Sequence, residues 1–415
     1  MKKRLAKGMV LVLAAVLLLT VPGLVGCGGG GAVELPQIKI GILTDFTGPA
    51  SFAVRPTLNA FMDCLKLAVA DGTIEGATVK FYTYDQRTDY SRTPPGYVWL
   101  KGQGVVMMNI ISPTDRQMLR DKFAADQMPV FGSGPVEGEA SVDPWTFLGN
   151  ASNGEEMEIL MQWVMDNWDY AGKGRPPKIG HKTWNISSGT YHQAGIDRML
   201  AWYPDKFSFA GVEKSPTSQS SWAAEVAKFK DCDYIIITTS GPQTTTFIKE
   251  ARDRNYAGVL LGCQDSFPGY WDLVEGAVLA DKIGTCYDMV FSPWWNTDCE
   301  LVRGAKRGVM TYHAGEADAM LRASGGVSGW MYGLLTVDAI NRAIGAVGGA
   351  ENLTGAAIRD AFLATNLSID GYPRPLKFTD TDHVAVHEAL VYKFNAALPN
   401  KWEAVSDWIK ARSAQ

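Results

Sequence analysis

The chain has 415 residues and a net charge of −5, with 39 Lys and Arg set against 44 Asp and Glu and no basic block, which argues against a nucleic-acid partner. Hydrophobic residues make up 46%, ample for a buried core, and the length suits two domains of ordinary size better than one. No C-x-x-C pair occurs and the five His are scattered, so the spacing points to no structural zinc site, and neither a metal nor a cofactor is expected.

The chain opens with Met1-Lys2-Lys3-Arg4 and Lys7, followed by an uncharged apolar run from Met9 to Val21, then Leu24-Val25-Gly26-Cys27 and glycines at 28–31. A basic head, a short apolar centre and small residues before a cut site describe a secretory signal. The run is too short to cross about 30 Å of hydrocarbon as a mature helix. Its Leu-Val-Gly-Cys ending resembles the bacterial lipobox. That resemblance implies a lipoprotein signal over residues 1–27 whose Cys27 becomes the acylated first residue of the mature chain, a flexible tether over 28–36, and a mature protein held by lipid outside the cytoplasm, in the periplasm or on the outer cell surface. Ordinary secretion with an incidental Cys27 is the alternative. No later apolar run is long enough for a second span.

Beyond the tether, short apolar runs alternate with amphipathic stretches. Residues 38–43 read as a strand and 45–49 as a turn. Leu58, Phe61, Met62, Leu65 and Val69 follow the i, i+3, i+4, i+7 rule and predict a helix over 57–71, closed by Asp71-Gly72. A strand over 79–84, a poor helix over 91–102 with Pro94 and Pro95 near its start, and an apolar strand over 104–111 follow. A helix over 116–127 and a strand over 128–131 complete the first series. The rhythm restarts after residue 150. Helices at 155–168, 191–202, 221–230 and 245–254 alternate with strands at 178–183, 234–238 and 259–262, Ser220 or Ser221 serving as N-cap of the third helix. Helices over 299–323, 329–346 and 355–364 and strands over 376–379 and 389–394 close the chain. Repeated β-α units predict an α/β fold of two doubly wound, mostly parallel lobes.

No phosphate loop, dinucleotide fingerprint, G-x-S-x-G elbow, H-E-x-x-H or EF-hand pattern occurs. Gly132-Ser133-Gly134 comes nearest to a nucleophile turn, but it lacks the five-residue spacing and a His placed to serve it, so no enzyme is expected. Apart from Cys27 there are five cysteines, Cys64, Cys232, Cys263, Cys286 and Cys299. The compartment permits disulfides, and an odd number leaves one thiol unpaired. Cys286 and Cys299 flank a loop containing Pro293-Trp294-Trp295 and are the pair expected to bridge, the alternative being small buried hydrophobes.

Several of these residues fall in an ordered series. Ile38-Lys39-Ile40-Gly41-Ile42-Leu43, Thr47-Gly48-Pro49, the strand 79–85 ending in Asp, 104–114, Met128-Pro129-Val130-Phe131-Gly132-Ser133, Phe147-Leu148-Gly149-Asn150 and Val405-Ser406-Asp407-Trp408 follow one another. The series resembles the branched-chain amino acid (Leu/Ile/Val)-type periplasmic solute-binding proteins of ABC importers, over about residues 37–410. The resemblance implies a type I periplasmic-binding, Venus-flytrap fold, with two doubly wound lobes joined by crossover strands. Lobe 1 would be 37–149 plus 288–377, and lobe 2 would be 150–287 plus 378–412. It further implies a monomer that captures a small amino acid, amide or carboxylate between the lobes and hands it to membrane permease subunits. The alternative is a sensor of the same fold feeding a signalling partner.

By the same resemblance, hydroxyls and backbone N–H groups at Ser112, Thr114, Ser133 and Gly134 would hold a ligand carboxylate. Loops opening onto helix N-termini favour anions in any case. Ser112 can equally cap the helix containing Arg116. Tyr191 matches the aromatic of the second lobe, and a half-buried helix tyrosine is its bland reading. The position near Ser240-Gly241 lacks the bulky aromatic usual there, leaving room for a larger ligand side chain. Gln264 aligns with the acidic position for an α-ammonium, with Asp265 one residue away, which favours a neutral amide or plain carboxylate if Gln264 faces inward. Phe52, Trp184 and Trp330 are candidate walls or core residues. Arg55 is a candidate for a second carboxylate or a solvated arginine.

Overall fold

The computed structural model describes residues 35–48, 50–134, 143–216, 218–263, 266–267, 274, 276, 278 and 282–414. Cys27, Gln264 and Asp265 lie outside them. The first sheet has the order β2-β1-β3-β4-β5, all parallel. Its strands are β1 (Gln37–Thr44), β2 (Thr78–Asp85), β3 (Met107–Asn109), β4 (Val130–Gly132) and β5 (Thr146–Leu148). The second sheet runs β14-β13-β10-β9-β8-β6-β7 with β15 on β13. Here β6 (Lys178–Trp184), β7 (Ser208–Ser215), β8 (Tyr234–Ile237), β9 (Val259–Cys263) and β10 (Cys286–Val290) are parallel. Strands β13 (Glu388–Phe394), β14 (Trp402–Ala404) and β15 (Ile409–Lys410) add antiparallel. A small hairpin pairs β11 (Asn366–Leu367) with β12 (Leu376–Lys377).

Helices α1 (Ser51–Ala70), α2 (Thr93–Gly102) and α3 (Pro113–Asp126) cross over between strands of the first sheet, α4 (Asn153–Asn167) leads from β5 of the first sheet to β6 of the second, and α5 (Ser187–Trp202), α6 (Ala223–Phe229) and α7 (Pro242–Asp253) cross over between strands of the second. Helices α8 (Glu300–Tyr312), α9 (Gly326–Val347) and α10 (Gly355–Leu363) return to the first lobe. Phe131 and Phe147, on β4 and β5, pack against Phe362 of α10 at 5.6 and 4.8 Å, and Phe131 meets Tyr332 of α9 at 5.4 Å. Helix α1 buries Leu58, Phe61 and Leu65 completely, each worth about 1.5–3 kcal/mol.

Several expectations are revised. Helix α1 starts at Ser51, six residues before the start at 57 expected from the apolar spacing, because the Asp45 carboxylate accepts from the Gly48 and Ala50 amides and turns the chain into the helix there. Helix α6 starts at Ala223 with Trp222 at its N-cap and no side-chain cap, so neither Ser220 nor Ser221 serves. The buried Trp222 is held by its amide on Glu250 Oε2 at 3.0 Å, which fixes the entry later in the chain. The span 299–323 is broken, α8 ending at Tyr312. Cys286 and Cys299 are not bridged. All five described cysteines are free and buried, Cys286 lying against the Ile283 carbonyl at 3.8 Å and Cys299 at the N-cap of α8.

The passages between lobes run side by side. Leu148 and Val384 form a parallel bridge, with Leu148 N donating to His383 O at 2.8 Å and Ala385 N to Leu148 O at 2.9 Å. Gly149 must be glycine, since a Cβ there would fall 1.9 Å from Tyr332 Cε1. His387 sits between Glu155 and Asp382 at 2.7 and 2.9 Å. Burial alone would depress its pKa, but the bonds to Asp382 and Glu155 outweigh it and raise it to about 10.

Candidate functional site

In an open, doubly wound sheet, ligands collect where the strand order reverses, at the carboxyl ends of the strands. In the first sheet that point lies between β1 and β3, and in the second between β6 and β8.

At the first point the chain leaves β1 through Asp45, which is buried and also accepts from Thr88 Oγ1. Asp85, at the end of β2, accepts from the Phe46 amide at 2.8 Å and from Thr47 Oγ1. Burial pushes its carboxyl up, but these bonds and one from Arg87 outweigh it and lower the pKa to about 2. Beyond β3, Ser112 caps α3, accepting from Asp115 N at 3.3 Å, so its capping reading holds. Thr114 lies half-buried in the first turn. The buried Arg116 guanidinium donates to the carbonyls of Ile110 (2.9 Å), Ile111, Ser133 (3.0 Å) and Gly134 (3.1 Å). It thereby staples the loop after β3 to the loop after β4. Ser133 itself is buried, only 8% exposed, with its carbonyl turned to Arg116.

At the second point β6 ends in Trp184, whose indole N–H donates to Gln243 Oε1 in the first turn of α7. Thr238, past β8, bonds His181 Nε2 at 3.1 Å and donates to Thr183 Oγ1 at 2.7 Å. Helices α5 and α7 begin here with no side-chain cap, leaving first-turn amides as donors. Tyr191 is half-buried in α5, and Ser240 is half-buried just before Gly241. Gly241 has φ 66° and ψ −145°, a conformation that glycine alone adopts readily.

The two points meet. A Cβ on Gly241 would stand 2.8 Å from Phe52 Cζ, so the Phe52 ring, reaching from the start of α1, lies on the Gly241 backbone. The aromatic group expected to be missing beside Ser240 is therefore supplied by the opposite lobe. Phe52 and Ser240-Gly241 are brought together directly, and Ser112 and Ser133 are joined through Arg116. Trp330 is elsewhere. It is 7% exposed and packed on α8, where a Cβ at Gly308 would lie 2.5 Å from its ring. Arg55 is exposed and makes no ion pair among the described residues.

Other groupings carry no signal in residue spacing. Below the second point, Lys182 is buried against Trp222, 4.2 Å from the ring centroid, and donates to Ser215 Oγ at 2.6 Å. Burial lowers its pKa to about 8. Glu156, His192 and Cys263 also converge, all buried.

The chain belongs to the periplasmic binding protein family, whose model matches residues 37–399. No curated protein sequence matches it. Among solved structures it is similar to a branched-chain amino acid ABC transporter protein from Thermus thermophilus with bound valine (TM-score 0.79, 13% identity, covering 92% of this chain and 98% of that one). A fatty acid ABC transporter substrate-binding protein from Thermomonospora curvata gives a TM-score of 0.76 at 17% identity, covering 91% and 94%. A possible leucine/isoleucine/valine-binding protein from Rhodopirellula baltica gives 0.72 at 18% identity, covering 91% and 98%. The fold is thus the two-lobed type I periplasmic-binding architecture that the sequence resemblance implied, and no described helix is long and apolar enough to cross a membrane.

Proposed function

We propose that the protein is an extracytoplasmic solute-binding lipoprotein of an ABC importer, anchored through Cys27, which holds a small organic solute bearing a carboxylate or amide between its lobes. The observation that carries this reading is the contact of Phe52 with Gly241, which sets the two strand-order reversals face to face. A solute between them meets the Ser133 hydroxyl on one side and the uncapped starts of α5 and α7 on the other. These are neutral donors and helix N-termini, which suit an anionic or amide group. Ser112, Thr114, Gly134, Tyr191, Gln264 and Asp265 complete the proposed lining. Proteins of similar fold include one with bound valine and a fatty acid ABC transporter substrate-binding protein, so fold alone does not choose the solute.

The test is a thermal-shift panel of amino acids, amides, short-chain acids and aromatic acids. A solute that binds only the native state stabilises it by about 2.7 kcal/mol at a hundredfold excess over Kd, and such a compound is expected within the acid or amide classes. A panel that leaves the melting temperature unmoved throughout contradicts the proposal.

A further inference from the structure

Three side chains far apart in the chain share one buried point in the second lobe. Glu156 sits in the first turns of α4, His192 in α5, and Cys263 is the last residue of β9. Their exposures are 3%, 4% and 6%. His192 Nε2 lies 2.8 Å from Glu156 Oε2 and 3.8 Å from Cys263 Sγ. One ligand-type atom from each falls within 4.8 Å of the other two.

We propose that Glu156, His192 and Cys263 form a binding site for a thiophilic divalent cation, with zinc as the best match. Zinc bonds of about 2.0–2.3 Å to nitrogen, oxygen and sulfur place tetrahedral ligands roughly 3.4–3.7 Å apart. The Sγ–Nε2 separation is already close to that, and the Oε2–Nε2 pair has only to open from a hydrogen bond. A thiolate, an imidazole and a carboxylate are the donor mixture that zinc accepts and that hard cations such as magnesium do not favour. Charge supports the same assignment. A dication bound to one thiolate and one carboxylate is neutral overall, which suits a site sealed from water. Binding releases the Cys263 thiol proton to solvent, and the imidazole bonds the metal through Nε2 with its proton on Nδ1. That nitrogen is buried without a partner. The fourth position is left for water. A bound ion would tie α4 and α5 to the end of β9, from which the chain runs directly into Gln264 and Asp265. The assignment does not depend on which solute the cleft takes.

Cobalt(II) titration of the metal-stripped mature chain reads the site directly. One equivalent per chain is expected, with a thiolate-to-cobalt charge-transfer band in the near ultraviolet that zinc bleaches. Cys263→Ser should abolish the band, which also separates the site from Cys27. His192→Gln should weaken uptake by about tenfold or more, and it stands in as the second probe should Cys263→Ser fail to fold. Zinc should raise the melting temperature of the unsubstituted chain alone. No stoichiometric uptake, or a band and a zinc-induced shift unchanged in the folded variants, would overturn the assignment and leave the three residues as a hydrogen-bonded core cluster.

Discussion

The mouths of the two lobes share a topology and differ in chemistry. On the first lobe Asp45, Asp85 and Asp115 are each committed to nearby amides and hydroxyls, and Arg116 is committed to four carbonyls. On the second lobe two helices start without a side-chain cap, and the groups buried beneath them are His181, Lys182, His192 and Cys263. A strand-order reversal fixes where a cleft opens, while the side chains below each mouth decide whether it arrives internally satisfied or with donors to spare. The first mouth is held chiefly by carboxylates and a guanidinium bonded to neighbouring backbone and hydroxyls, and the second chiefly by two helix starts above buried His, Lys and Cys side chains.

The largest expected effect tests the first mouth. Arg116→Met removes the donor to four inward carbonyls and should cost more than about 3 kcal/mol, read as a lower urea midpoint. Lys182→Met on the second lobe should cost about 1 kcal/mol or less, because burial already penalises the ammonium and a methionine fills similar volume. Equal losses would erase the contrast between the lobes.

Next comes the passage between them. His387 has a folded pKa of about 10 against about 6.5 unfolded, so its stabilisation is complete below pH 6.5 and is lost as pH rises toward 10. His387→Gln should cost about 2–3 kcal/mol at pH 6 and remove the fall in stability between pH 6.5 and 8. Lys182 acts with the opposite sign. Its folded pKa of about 8 lies below the unfolded value, so stability from this residue rises between pH 8 and 10.5. A melting-temperature profile of the variant with no change between pH 6.5 and 8 supports this account, and a profile parallel to the parent contradicts it. The smallest effect concerns the thiols. With Cys286 and Cys299 unbridged, reductant should leave the melting temperature unchanged.

Most elements were legible because their apolar spacing is regular. The α1 stripe through Leu58, Phe61 and Leu65 and the β-branched run in β8 are examples. Strand β7 escaped notice because Ser208–Ser215 is a half-buried edge strand interrupted by Gly211, with no clean alternation. Strand β10 carries the buried acid Asp288 in its centre and so breaks the apolar pattern. The family resemblance pointed to the position near Ser240-Gly241 and aromatic character made Phe52 a candidate wall, but neither showed that Phe52 crosses to cover Gly241, since the long reach between them is set only by how the lobes face. The Glu156, His192 and Cys263 cluster was illegible for the same reason, its members being separated by 36 and 71 positions.

The claim that a solute is held between the two strand-order reversals, beside the contact of Phe52 with Gly241, is tested most directly by titration calorimetry of the best thermal-shift compound against the parent chain and against Gly241→Val. The added side chain meets Phe52 and strains a backbone suited to glycine, so affinity should fall by about a hundredfold while Phe52→Ala alone loses about tenfold. Undiminished binding by a folded Gly241→Val protein would place the solute elsewhere and contradict the account.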